Sequence, residues 1–569
     1  MKRRNFIGLL GGSSAGAAIS AALPFHVGEA GPGITRGENT LNADIVIAGG
    51  GLGGVAAALA SLRNGQSVIV TETTDWLGGQ LTAQGVPPDE HPWIETHGAP
   101  QSYRDLRNRI RDYYRQHYPL TGKEKANAQL NPGNGAVSRL CHEPAVAEAV
   151  IRQLLMPYIS SGRLLLLTEH QVVRAAVRDT RVESLTVRNK KNGALLVLKS
   201  AFFIDATELG DLLPLTGTSY VTGTESRRQT GELHAPETAD PGNNQAFTMC
   251  FAVDYIEGER HTISRPADYL FWKNYIPALK PAWPGKLLSL RYAQPQTLQA
   301  KDLGFSPDGK ATGELLNLWN YRRIIDRKNF KEGFYKGDIT IVNWPQNDYI
   351  PGNIVDVAEG TFQKHVDRAK QLSLSLLYWL QTEAPGPGGG RGWPGLRLRR
   401  DIMGTADGLA KYPYIRESRR IKAQFTILEE HVGRENRARV ATAGKEKAAS
   451  FFDSVGIGYY HIDLHPSSRG NNYIDFPSLP FQIPLGALLP VKMENIFPAN
   501  KNIGTTHITN GCYRLHPVEW SIGEAVGLLL VFAKAQGVLP AAVRRDRELL
   551  KKFQAFIQTQ GVETEWPAL

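Results

Sequence analysis

Apolar and polar positions change rhythm along this chain. Ala43-Asp44-Ile45-Val46-Ile47-Ala48 is a short apolar run, which predicts a strand buried on both faces. Gly49-Gly50-Gly51-Leu52-Gly53-Gly54 follows at once. An Ala-rich helical pattern then runs from Val55 to about Asn64, and Gly65 stands where a helix end favours positive φ. A second apolar strand, Ser67 to Thr71, ends at Glu72. Residues 98–118 predict an amphipathic helix, with Arg104, Arg107, Arg109, Arg111 and Arg115 as its solvated face. Pro144 opens an apolar helix, Ala145 to Met156. Strands are expected at Leu164 to Thr168, His170 to Val177 and Ala201 to Asp205.

From 216 to about 480 this alternation is lost. Pro, Trp, Tyr and short strands mix with one clear helix near Phe362 to Thr382, closed by a Gly- and Pro-rich loop. Strand character returns at Leu488 to Phe497, and Ser521 to Gly527 opens another apolar helix. Strand and helix alternate at both ends of the chain, so the fold expected is α/β with an inserted α+β region.

The first residues read as an address. Lys2, Arg3 and Arg4 precede a weakly apolar, small-residue run, and Gly28 and Ala30 suit peptidase cleavage. Arg3-Arg4-Asn5-Phe6-Ile7 resembles a twin-arginine export signal, which implies an exported, periplasmic protein. Residues 1–30 are therefore set apart, and 31–42 read as a linker.

A length of 569 residues is enough for about two to four domains. The formal charge of +10 is dispersed, and its densest cluster, Arg397, Arg399 and Arg400, lies beside Asp401. No nucleic-acid motif accompanies it, so an anionic small molecule is the more natural partner. Three cysteines without CxxC spacing argue against a disulfide framework or a zinc site; one disulfide or buried free thiols remain open. Past the N-terminal segment, no apolar run reaches the ~18 residues that argue for a spanning helix.

Gly49, Gly51 and Gly54 fit G-x-G-x-x-G between a strand and a helix. Gly49 permits the tight turn, Gly51 lets backbone approach a pyrophosphate, and Gly54 lets the helix pack on the strand. The helix N-terminus offers unpaired N–H groups and a positive dipole end to phosphates. Glu72 ends the second strand, where a carboxylate can accept from ribose hydroxyls. Strand, loop, helix, strand and acid in this order predict a dinucleotide site.

Past Glu72 the chain reads Thr73-Thr74-Asp75-Trp76-Leu77-Gly78-Gly79-Gln80. Here it resembles the FAD-dependent oxidoreductases of the glutathione-reductase-like class. The resemblance implies FAD, with Gly78, Gly79 and Gln80 beside the cofactor. It also implies contacts from the loop residues Leu52 and Gly53, from backbone near Val172, and from the turn at Ala206 and Thr207. Glu208 stands where that class usually has Gly. Further stretches are similar to a narrower group, bacterial FAD-dependent oxidoreductases sometimes called xanthan-lyase-like. They include Asn343–Tyr349, Tyr414–Arg420, Asp453–Gly456, His461–Pro466 and Asn500–Gly527. The resemblance implies that Asn502, Gly523 and Glu524 belong to the flavin site, a helix N-terminus near Gly523 facing the flavin.

Oxidising a C–H bond that bears O or N needs a base for the attached proton. His507 and His516 flank the expected flavin-facing turn and are the candidates; Glu519 orients one of them or acts itself, and Arg514 binds a carboxylate or developing anion. Each histidine has a structural alternative. Arg416, Arg419 and Arg420 either clamp an anionic substrate or pair with acids such as Glu417; Asp348 and Tyr349 are candidate pocket residues. His461, Asp463 and His465 share one strand face, which reads as a polar pocket wall in preference to a metal site.

The expected organisation is an export signal (1–30), a linker (31–42), a Rossmann-type FAD-binding domain in two parts (43–215 and 481–540), a substrate domain (216–480) and a C-terminal helix and tail (541–569). The function expected is FAD-dependent oxidation or reduction of a small organic, anionic substrate by a dehydrogenase or oxidase, with a separate electron acceptor. A lyase or isomerase using FAD without net redox change, and a flavin-binding electron carrier, are the alternatives.

Overall fold

In a computed structural model, residues 33–310 and 312–567 are described; the expected export segment falls outside them. The apolar run folds as strand β1 (Thr40–Ala48), and the glycine loop leads into helix α1 (Leu52–Arg63). Gly65 follows with φ +82°, as a helix end requires. Strand β2 is Val68–Glu72. Helices α2 (Gln101–His117) and α3 (Pro144–Ser160) precede β3 (Leu164–Thr168), β4 (His170–Arg178), β5 (Arg181–Asn189) and β6 (Leu195–Asp205).

These strands form one sheet in the order β3-β2-β1-β6-β5-β4. The β3-β2-β1-β6 part is parallel, and β4-β5-β6 is an antiparallel meander. Ala48 is in register with both Thr71 and Asp205, so the carboxyl ends of β1, β2 and β6 lie side by side. Loops leaving that edge are where an open α/β sheet builds its ligand site.

The linker reading fails in part. Thr35–Arg36 pairs antiparallel with Leu41 and Asn42, and β1 starts at Thr40, so these residues belong to the sheet. The all-solvated face of α2 also fails. Arg107 and Arg111 are buried against Glu90 and Glu95, with Arg107 Nε 2.8 Å from Glu90 Oε1 and Arg111 Nη2 2.6 Å from Glu95 Oε1. Buried guanidinium groups require such partners.

The middle of the chain builds a second layer. Strands β7 (Phe251–Tyr255), β8 (Arg323–Ile325) and β9 (Ile339–Val342) form an antiparallel sheet with β10 (Leu396–Leu398), in the order β8-β9-β7-β10. Helix α4 (Glu359–Thr382) packs its Leu372, Leu376 and Leu380 into the apolar core beside this sheet. That core takes in residues from Ala246 to Ile415, whereas Ile427, Val432, Val455 and Phe481 join the core around α1. A short hairpin, β11 (Ile462–Leu464) with β12 (Ile474–Phe476), follows.

The chain then returns to the first sheet. Strand β13 (Ile496–Pro498) adds to β6 in parallel, with Pro498 in register with Asp205. Helix α5 (His507–Tyr513) follows, then the long α6 (His516–Gln536), α7 (Pro540–Arg545) and α8 (Arg547–Thr559). Helix α6 starts five residues before the predicted Ser521, because Pro517 suits its first turn. The three cysteines are buried and free. No helix among the described residues is long and apolar enough to cross a membrane.

Candidate functional site

The glycine loop sits at the carboxyl edge of the sheet and is built without room for side chains. Gly49 has φ +95°, and a Cβ there would lie 2.2 Å from Ala206 O. Gly51 is the N-cap of α1, and no side chain caps that end of the helix. Gly53 and Gly54 allow close packing: their Cβ atoms would lie 1.5 Å from Ala499 O and 2.2 Å from Gly49 O. Leu52 is buried. Gly78 donates its N–H to Gly50 O at 2.7 Å, so the Gly78-Gly79 turn lies against the loop. A Cβ on Gly79 would be 3.0 Å from Gly51 Cα.

Glu72 lies where the sequence placed it. Its Oε2 accepts from Gly50 N–H, and its Oε1 from Thr74 N–H, each at 2.8 Å. Burial pushes this carboxyl up in pKa, against both donors. Ala206, Thr207, Glu72 and Gly79 line one cavity together with Glu208 and Tyr412. Asp205, behind the turn, accepts from Thr207 and Leu212 N–H groups; burial raises it to about 7.

Glu208, in the position usually held by Gly, brings a carboxylate into this cradle. Its Oε2 is 2.6 Å from Lys501 Nζ, and its Oε1 is buried without a partner, facing Gly51 and Gly79. Lys501 also lies 3.1 Å from Glu519 Oε1. Burial opposes the Lys501 charge, but the two carboxylates outweigh it and hold its pKa above the ordinary lysine range. Burial raises Glu519 to about 7; Lys501 lowers it and Glu208 adds to the rise.

Several polar atoms around the cradle have no partner: Gln80 Oε1, both amide atoms of Gln84, Glu208 Oε1 and Asn500 Oδ1. An unpaired buried polar group costs about 1–3 kcal/mol; four of these five atoms are acceptors, which suit the hydroxyl and N–H donors of a ligand, while the glycine loop and the N-terminus of α1 offer N–H groups to phosphates. The residues present fit FAD.

A second cavity, of about 220 Å³, is walled by Arg322, Arg416, Arg514, His461, His465 and Tyr473 among others. It has no lining residue in common with the cradle, but two stretches of chain reach both. Gly79, Ala83 and Gln84 line the first cavity and Asp89 the second; Tyr412 lines the first and Tyr414 the second. Gln80 Nε2 donates to Arg514 O at 2.9 Å, tying the two walls. Arg514 donates to Tyr414 OH at 2.8 Å and Asp463 Oδ2 at 2.9 Å. Asp463 is held low in pKa, because His465 and Arg514 outweigh burial. His461 Nδ1 is 2.6 Å from Asp475 Oδ1; burial lowers the imidazole's pKa, but that carboxylate outweighs it and raises it.

Other expected site residues lie elsewhere. His507 lines neither cavity; its Nδ1 is 2.8 Å from Glu417 Oε1, and its N–H donates to Glu225. His516 is buried behind Asp89, whose N–H it accepts on Nδ1 at 3.1 Å. The Nε2 of that tautomer carries the proton, and burial lowers the imidazole to about 4, so His516 is a neutral donor and not a base. Arg419 is taken by Asp211, Asp356 and Leu209 O, and Arg420 by Glu417, Glu225 and Gly223 O. Neither lines either cavity. Tyr349 is a core residue bonded to His365.

In the cofactor set, Asn502 bonds Asp205 O and Asn500 N–H within the turn after β13, while Asn500 faces the loop. Gly523 is a packing glycine: a Cβ there would lie 1.9 Å from Gly53 O, where α6 crosses α1. Glu524 points away, to Ser102 Oγ on α2, and burial raises it to about 7. Val172 sits on β4 at a bulge between Val172 and Arg174, outside the cradle lining. Lys501, Glu208, Gln84 and Asp475 were missed as site residues. Their sequence signal is weak: Glu208 shows only as a residue in place of Gly, and Lys501 lies inside a polar turn.

A sequence profile described as FAD dependent oxidoreductase matches residues 44–557. No curated protein sequence matches the chain. Among solved structures, FrdA of E. coli quinol fumarate reductase, as a variant, is similar at 12% identity; the match covers 92% of this chain and 74% of that one, with a TM-score of 0.32. A geranylgeranyl bacteriochlorophyll reductase-like protein from Thermoplasma acidophilum is similar at 9% identity, covering 92% and 85%, with a TM-score of 0.30. L-proline dehydrogenase from P. horikoshii shares 13% identity over 34% of this chain and only 25% of its own length, with a TM-score of 0.17.

Proposed function

The chain belongs to the FAD dependent oxidoreductase family, and from that premise we propose that it is a dehydrogenase or oxidase of a small organic acid. One observation carries the reading: a cradle fitted to FAD and a polar cavity holding three arginines, three aspartates and two histidines are lined from the same two stretches of chain, 79–89 and 412–414. Bound FAD supplies the centre that accepts a hydride. The Gly49–Gly54 loop, the N-terminus of α1, Glu72 and the Gly78-Gly79 turn would hold it. Glu208 and Lys501 keep opposite charges in balance beside it.

In the second cavity the Arg514 guanidinium, held by Tyr414 and Asp463, lies against an anionic substrate. His461 takes the proton of the reacting group on Nε2, while Asp475 holds Nδ1–H and so the tautomer. The Arg3-Arg4 segment supports reading the enzyme as exported.

The test is anaerobic mixing of the FAD-loaded chain with hydroxy- and amino-carboxylates. Loss of the oxidised-flavin band with one of them supports the proposal. Turnover of a carboxylate without any loss of that band favours a lyase or isomerase.

A further inference from the structure

Three large apolar side chains that the fold leaves in solvent stand close together in the chain. Leu270 is 59% exposed, Phe271 47% and Ile276 56%. They lie on and just after a short helix, Tyr269–Asn274, which buries Tyr269 and Trp272 in the core beside α4. Single exposed apolar residues are ordinary, but a cluster rimmed by polar groups marks a contact surface.

The rim is cationic. From residue 269 to residue 301 the sequence has no Asp or Glu, but it has Lys273, Lys280, Lys286, Arg291 and Lys301. Glu383 takes Lys273 at 2.6 Å, and Asp302 faces Arg291 at 3.7 Å. Lys280 and Lys286 are exposed and, among the described residues, pair with no acid. Lys286 Nζ donates to Asn274 Oδ1 at 3.0 Å, and Asn274 Nδ2 donates to Leu270 O, so this ammonium stands beside the apolar cluster. The Arg368 guanidinium, from α4, lies over the Phe271 ring, 5.1 Å from its centre. Phe271 in turn stacks on Tyr275 at 5.6 Å. The acids at the margin, Asp268, Asp367 and Asp407, surround a shallow cleft together with Arg368 and Lys370, and Lys370 pairs with Asp407 at 2.8 Å.

A partner for this surface offers apolar matter to the depth of a side chain, with negative charge around it. An anionic phospholipid surface has that layering, phosphates above acyl chains, and tyrosine and lysine suit its boundary. A nucleic acid has the charge without the apolar layer.

We infer that the segment 270–286 docks the protein on an anionic phospholipid surface. Leu270, Phe271 and Ile276 enter the acyl boundary, and Lys280, Lys286 and Arg368 meet the lipid phosphates. The contact is peripheral, since no described helix is long and apolar enough to cross a membrane. Docking of this kind is independent of the cofactor and substrate that the chain holds.

The experiment is sedimentation of the purified full-length chain with sucrose-loaded vesicles, of phosphatidylcholine alone or mixed equally with phosphatidylglycerol. Each Lys or Arg near an anionic surface contributes about fivefold to binding, so the chain binds the anionic vesicles about tenfold or more tightly than the neutral ones, and less so as salt is raised. Leu270→Ser with Ile276→Ser removes two apolar anchors and lowers binding to the anionic vesicles about tenfold. Lys280→Glu with Lys286→Glu reverses two charges and erases the preference for them. All four side chains are exposed, so both variants melt with the wild type. Lys2, Arg3 and Arg4 are common to every sample, so any affinity they add is common too. Equal binding to both vesicle types, no binding to either, or unchanged binding by the folded variants overturns the inference. So does a wild-type dimer, seen by light scattering without vesicle binding, that Leu270→Ser with Ile276→Ser dissociates, because the patch then belongs to a second copy.

Discussion

Glu208 and Lys501 form a buried ion pair, 2.6 Å from Oε2 to Nζ, at the floor of a glycine cradle. The pair joins two distant parts of the chain, the turn after β6 and the turn after β13. Removing one partner leaves the other charge buried, which costs about 3–5 kcal/mol. Lys501→Met leaves both Glu208 and Glu519 without their cation. It is expected to lose FAD and to melt at lower temperature than the wild type. Flavin content per chain and a melting curve check this.

Gly53 faces Ala499 O across the α1 and β13 ends, with 1.5 Å left for a Cβ. Gly53→Ala therefore forces the backbone apart and is expected to yield unfolded or aggregated protein, a loss of at least about 3 kcal/mol. Gly193→Ala, on an exposed turn with nothing within 4 Å, meets only the strain of positive φ, about 1 kcal/mol. Soluble yield of the two variants side by side is the measurement.

His461 depends on Asp475 for its tautomer. His461→Gln is expected to lower kcat about a hundredfold or more, as loss of a general base does. Asp475→Asn leaves the imidazole in place but removes the carboxylate that raises its pKa, so the acid limb of the kcat/KM profile moves to lower pH. An unmoved acid limb in Asp475→Asn rules out His461 as the base.

Glu524 is buried against Ser102, and burial raises it from 4.5 to about 7. The folded state holds this proton more tightly than the unfolded state. Its contribution is thus present below pH 4.5 and is lost as pH rises through about 7. The span corresponds to at most about 3 kcal/mol. Glu524→Gln keeps a polar partner for Ser102 and removes the titration. The variant is expected to gain stability over the wild type between pH 5 and pH 8, read as a growing difference in melting temperature.

The first sheet and its loop were legible in the sequence because local pattern determines them. The run Ile45-Val46-Ile47, the glycines and Glu72 are contiguous, and each carries its own signal. The helix around His507 and the early start of α6 at His516 go beyond the expected Ser521 start, because residues 507–520 mix polar and apolar positions without a clear helical period. The residues of the second cavity come from widely separated positions, Asp89, Arg322, His461 and Arg514 among them. Nothing local in the sequence brings those together. Arg416, Arg419 and Arg420 are alike in the sequence and each pairs with an acid; only the fold distinguishes them, by setting Arg416 alone on the second cavity.

The central claim is that the cradle between Gly49 and Lys501 holds FAD. The most direct measurement is the absorption spectrum of the purified full-length chain, followed by identification of the flavin after denaturation. The account predicts an oxidised-flavin band and one FAD per chain. A colourless protein that takes up no FAD when the cofactor is supplied, or one that carries FMN alone, contradicts it.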